Sequence, residues 1–195
     1  MVKPSWEAKI LAVLFFGPPI IVAFAVYGPW KFDWLPQADF PYGERYEPTR
    51  ILPEIPLEID GGGFLQANWA IGRWSVIYGN TSNCDFICMR NLNVLMELKE
   101  KASNQSVVVQ SIYLHAGENI TSIQSLKLSE ELIVGRIDGS KALPLRRALD
   151  ENLLAEGWFY ITDPSGRLIF NYPSDADQQG VLRDLKRLIA LDQLV

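Results

Sequence analysis

Cysteine occurs twice in this chain, at Cys84 and Cys88. Residues four apart on a helix lie one turn apart on the same face. Two sulfurs so placed can close a disulfide, or can hold one soft cation, for which Cu(I) and Zn(II) suit thiolates. The C-x-x-x-C spacing is one residue longer than the C-x-x-C of dithiol-exchange sites, and it tilts the reading towards soft-metal handling. Two thiolates leave a coordination shell incomplete. The single histidine, His115, is the candidate third ligand, and Met89 beside Cys88 is a softer one. The plainer alternatives are a solvated loop position for His115, core packing for Met89, and a static disulfide or idle thiols for the cysteines.

These residues need elements to position them. The apolar run Trp74-Ser75-Val76-Ile77-Tyr78 predicts a strand, and residues 79–83 form the loop at its carboxyl end. Cys84 then falls at or near the start of a helix, with Cys88, Leu92, Leu95 and Met96 along one face. Free N–H groups and the positive end of the helix dipole favour a thiolate there. Residues 107–114 read as a buried parallel strand, which brings His115 to the same edge as Cys84. Ligands gather at the carboxyl ends of strands in such sheets.

The rest of the body continues the alternation. Residues 59–64 hold a glycine turn between short β segments, and 132–134 read as a short strand. Pro144 opens a helix that Gly157 ends. Residues 158–162 and 167–172 form a hairpin around Asp163-Pro164-Ser165-Gly166. Val181, Leu182, Leu185, Leu188 and Ile189 give a last amphipathic helix, with Arg183, Asp184, Lys186 and Arg187 on its wet side. The order β-α-β-(β)-α-β-β-α, around a central mixed sheet, is the plan of an α/β thioredoxin-like domain.

Ahead of this body, residues 10–27 carry no charge and, lengthened to residue 30, reach the ~20 residues of a spanning helix. Lys3 and Lys9 precede the run, and Asp33, Asp39 and Glu44 follow it. That bias places the N-terminus inside and the body outside. Residues 1–9 are then a cytoplasmic N-terminus, 10–30 a transmembrane anchor, 31–56 a Pro/Tyr-rich tether with little helix or sheet potential, and 57–195 the thioredoxin-like domain. A cleaved signal peptide ending at Ala23-Phe24-Ala25 is the alternative. Both readings export the body, where cysteines are permitted to pair. A net charge of −5 without a basic patch speaks against a nucleic-acid partner.

Gly72-Arg73-Trp74-Ser75-Val76-Ile77-Tyr78, the cysteine pair, and the segment from Phe159 to Arg167 resemble the Sco/SenC group. That group comprises membrane-anchored thioredoxin-fold proteins that help deliver copper to cytochrome c oxidase. Tyr172-Pro173-Ser174-Asp175, followed by Leu182-Arg183-Asp184-Leu185-Lys186-Arg187-Leu188, is similar to the end of a small single-span relative encoded in proteobacterial haem–copper oxidase assembly clusters. The resemblance covers residues 53–189 and the anchor.

The chain also departs from the group. Residues 153–157 lack the histidine that completes the group's copper site, and Asp85-Phe86-Ile87 lacks its prolines. Pro144 comes too early to serve as the cis-proline of thioredoxins. The group's copper ligands therefore carry over to Cys84 and Cys88 alone.

The resemblance implies a single-pass inner-membrane protein with a periplasmic domain. It would assist copper and thiol handling in oxidase assembly, with an oxidase subunit or assembly factor as partner. A thiol–disulfide oxidoreductase using Cys84 and Cys88, and an accessory structural subunit of a respiratory complex, are the alternatives.

Overall fold

The computed structural model describes residues 6–7, 10, 14–19, 41–60, 62–103, 107–116 and 132–193. The chain divides into two compact units, Met1–Phe40 and Pro41–Val195. In the first, residues 14–19 are helical. Among the described residues no helix is long and apolar enough to cross a membrane, and most of the span expected over 10–30 lies outside them.

The second unit is built on one mixed sheet of eight strands. These are β1 (Glu44–Ile51), β2 (Leu57–Ile59), β3 (Phe64–Leu65), β4 (Trp74–Asn80), β5 (Val109–His115), β6 (Leu132–Arg136), β7 (Trp158–Thr162) and β8 (Arg167–Tyr172). Their order across the sheet is β1-β8-β7-β4-β5-β6-β2-β3. β4, β5 and β6 run parallel, and β7, β8 and β1 extend the sheet antiparallel from β4. Every residue of β4 and β5 is buried, as befits central strands covered on both faces.

Strand alternation sorts the side chains between two layers. On one face Val76, Tyr78 and Tyr113 pack with Leu92 and Leu95 of α1 (Phe86–Ala102) and with Val181, Leu185 and Ile189 of α4 (Gln178–Asp192). On the other, Ile77, Ile112 and Tyr160 pack with Leu145 and Leu149 of α2 (Leu143–Leu149) and Leu154 of α3 (Glu151–Glu156). The thioredoxin-like α/β plan is present, with β1, β2 and β3 added to it.

Several expectations need correction. The stretch read as tether contributes β1, an edge strand on β8 whose register shifts between Arg45 and Arg50. Pro48 lies within that irregularity, and proline is tolerated at a sheet edge because it need not donate to the ladder. The helix expected from Pro144 to Gly157 is two helices, broken at Asp150, whose φ is 70°. Asp184, placed on the wet side of the last helix, is buried. Its carboxylate accepts from the backbone N–H groups of Tyr42 (2.7 Å) and Gly43 (3.0 Å) and from the Tyr172 hydroxyl (3.2 Å). Those donors satisfy a charge that would otherwise be costly to bury.

Candidate functional site

The loop 81–84 leaves β4 at its carboxyl end and is tied down on both sides. Thr81 N–H donates to the Leu154 carbonyl (2.9 Å), Ser82 N–H to Asn80 Oδ1 (2.8 Å) and Ser82 Oγ to the Ala155 carbonyl (2.9 Å). Asp85 then caps α1, its Oδ1 accepting from Cys88 N–H at 2.9 Å. Cys84 therefore sits just outside the helix, and Cys88 lies in its first turn.

The two sulfurs are joined as a disulfide, with Cα atoms 5.1 Å apart. Their surroundings differ sharply. Cys84 is half-buried, and Phe86, which opens α1 between the two cysteines, is 83% exposed. Cys88 is only 1% exposed and faces the sheet. Its Sγ lies 3.5 Å from the Tyr113 hydroxyl, which donates to it. Met89 Sδ lies 3.7 Å from Cys84 Sγ.

Beneath the pair is an aromatic layer. Tyr113 stacks on Tyr78 (5.9 Å between centroids) and on His115 (5.6 Å). The Tyr78 hydroxyl accepts from Asn91 Nδ2 (3.3 Å), which also donates to the Ser174 carbonyl (2.9 Å). Burial pushes the Tyr113 and Tyr78 hydroxyls above the ordinary tyrosine range, so both remain protonated.

His115 ends β5 opposite Asn80, on the edge that carries the cysteine loop. It is buried rather than solvated, and its Nε2 lies 3.1 Å from Asp60 Oδ2. Asp60 also faces Arg136, at 3.9 Å. Among the described residues no group of three or more His, Cys, Asp or Glu side chains is placed to hold a metal ion. At Gly157, the last of the residues 153–157 that hold no histidine, φ is +78° and an added Cβ would lie 2.7 Å from the Tyr78 hydroxyl. A side chain at this position would have to displace that ring.

The sequence pointed to the sulfurs, to the strand and helix that carry them and to the edge that carries His115. It missed Asp85, although an aspartate just before an apolar helical period is a cap signal. It also missed Tyr113, Tyr78 and Asp60. Spacing offers no sign of these contacts, because each crosses between elements.

A disulfide at the carboxyl edge of a parallel strand, one sulfur open and the other sunk against the sheet, defines a thioredoxin-fold domain with a thiol site. Residues 74–192 match the model of the transmembrane-like, thioredoxin-like, C-terminal domain family, and the chain belongs to that family. No curated protein sequence matches it. Its fold is shared with Sco proteins. The crystal structure of yeast Sco1 superposes with a TM-score of 0.59 at 15% identity, covering 72% of this chain and 95% of that one. Copper-bound ScoI of Arabidopsis thaliana gives 0.57 at 15% identity, covering 77% and 99%. BsSco, a Sco-family cytochrome c oxidase assembly protein with a disulfide switch, gives 0.54 at 13% identity, covering 74% and 94%.

Proposed function

We propose that this protein is a membrane-anchored periplasmic assembly factor for a haem–copper oxidase, acting on copper and on the thiols of a copper-receiving partner through Cys84 and Cys88. The observation that carries the reading is the asymmetry of the pair: Cys84 is half-exposed at the sheet edge and Cys88 is enclosed. An incoming thiolate reaches Cys84 Sγ first. The Cys84–Cys88 bond breaks, its electron pair passes to Cys88 Sγ, and the partner sulfur bonds to Cys84. A second partner thiolate attacks that partner sulfur and releases Cys84 as a thiolate. The partner's two thiols leave as a disulfide, and the pair here is reduced by two electrons. Run backwards, the same steps let the reduced pair keep a partner's copper-binding cysteines as thiols.

Copper enters as cargo. Once reduced, Cys84 and Cys88, with the Met89 thioether close to Cys84, make a sulfur-rich donor set of the kind Cu(I) prefers. His115 remains the proposed third ligand, and it would exchange Asp60 for the metal to act as one. The Sco neighbours support the reading as assembly proteins with the same fold.

The test is deletion of the gene in its own host, with oxidase activity and bound copper measured in membranes. Complementation by the intact gene restores both, and Cys84→Ser and Cys88→Ser fail to. Full rescue by the double variant would overturn the proposal. Cu(I) titration of the reduced chain, with and without His115→Ala, decides the third ligand: unchanged affinity in that variant removes His115. The half-exposed sulfur also favours a second reading, a general thiol–disulfide oxidoreductase, and turnover on unrelated reducible peptides would mark it.

A further inference from the structure

We propose that Tyr113 is a catalytic residue of thiol–disulfide exchange at this site, its hydroxyl donating to Cys88 Sγ as that sulfur leaves. The proposal rests on the reading of Cys84–Cys88 as a reacting pair. Tyr113 is 1% exposed, so bulk water does not compete for its hydroxyl. Its hydrogen-bond partner among the described residues is Cys88 Sγ, at 3.5 Å. A disulfide sulfur is a weak acceptor, so in the closed pair the bond contributes little. A thiolate is a strong acceptor, and hydrogen bonds to charged groups are the stronger class. The donor is therefore worth most in the state where Cys88 carries charge, which is the requirement for catalysis by differential stabilisation.

The placement fits the order of events. When a partner thiolate attacks Cys84 Sγ, the leaving sulfur is Cys88, and charge develops there. That sulfur cannot turn to water. The helix N–H of Cys88 itself is already given to Asp85 Oδ1 at 2.9 Å. A donor fixed in advance at the point of developing charge lowers the barrier without reorganising during the step. The ring is held for this task by its stacking contacts with Tyr78 and His115.

The experiment compares the purified full chain with Tyr113→Phe, which keeps the ring and removes the hydroxyl. The rate of reduction by glutathione and the equilibrium with the glutathione couple are both measured at one fixed pH. Tyr113→Phe is expected to slow reduction about tenfold and to make the disulfide about tenfold harder to reduce, ~30 mV for this two-electron couple. Tyr160→Phe is the matched control. Tyr160 is a fully buried tyrosine on the opposite face of the sheet, and its exchange rate is expected to stay at wild type. Equal rates in wild type and Tyr113→Phe, with a normal unfolding midpoint, overturn the role of the hydroxyl while leaving the pair redox-active. A wild-type pair that resists both glutathione and dithiothreitol overturns the parent reading, and the assignment of Tyr113 with it.

Discussion

Asp85 has two effects of opposite sign on the site. As the cap of α1 it satisfies Cys88 N–H and stabilises the helix start. As a carboxylate beside the pair it opposes the negative charge that a reduced sulfur carries. Asp85→Asn keeps a good cap and removes the charge. The disulfide should become about 6–20 mV more oxidising, the equivalent of the ~0.3–1 kcal/mol that charges contribute near a helix N-terminus. Equilibration with glutathione measures it. Asp85→Ala removes both effects and should also cost about 1 kcal/mol in urea unfolding. Gly157→Ala tests the close approach behind the site. At φ +78°, with its Cβ directed at the Tyr78 hydroxyl, the variant should lose roughly 1–3 kcal/mol of unfolding free energy. At this scale the sequence revealed reactive atoms but not their partners. Cysteine and histidine announce their chemistry by type, whereas Tyr113 becomes informative only when a strand is laid under a helix.

The elements were legible where periodicity was unmixed and obscure where local exceptions ruled. β4, β5, α1 and α4 follow from apolar spacing. β1 did not, because its Pro48 and the prolines around it read as tether, while an edge position excuses Pro48. The break between α2 and α3 did not, because it depends on one non-glycine residue, Asp150, adopting a positive φ. The β7–β8 turn was read correctly, and its stability should depend on pH. Burial alone pushes the Asp163 carboxyl up. Donations from Ser165 N–H and Oγ and from Arg167 N–H and Nε, with the guanidinium charge, outweigh burial and hold it below the usual range. A carboxyl depressed in the folded state stabilises above its unfolded value, about 3.9. That contribution is lost as pH falls through the lower, folded value. Acid unfolding followed by circular dichroism should therefore show a stability loss below about pH 4. Asp163→Asn should flatten that slope.

Over the whole second unit, the chain ahead of residue 57 is part of the fold. Tyr42 and Gly43 supply two of the three donors to buried Asp184, and Leu52 is itself buried. A chain beginning at Leu57 leaves that carboxylate short of partners. It should be about 3 kcal/mol less stable in urea than one beginning at Pro41, on the scale of breaking a buried charge network. Equal midpoints would show that β1 is dispensable. The overall plan was readable because β-α-β order and a terminal hairpin admit few topologies. Of the additions, the short β segments around the 59–64 turn were read and are β2 and β3, whereas β1 was not.

The rims of the sheet have a consequence for life at high concentration. One rim ends in β3, two residues long; the other ends in β1, whose ladder to β8 is interrupted and which contains a proline. Neither presents a straight row of free amides on which a neighbouring copy could template itself. Molecules crowded together are thereby discouraged from zipping into ribbons, even though the strands at the centre of the sheet are rich in β-branched and aromatic residues.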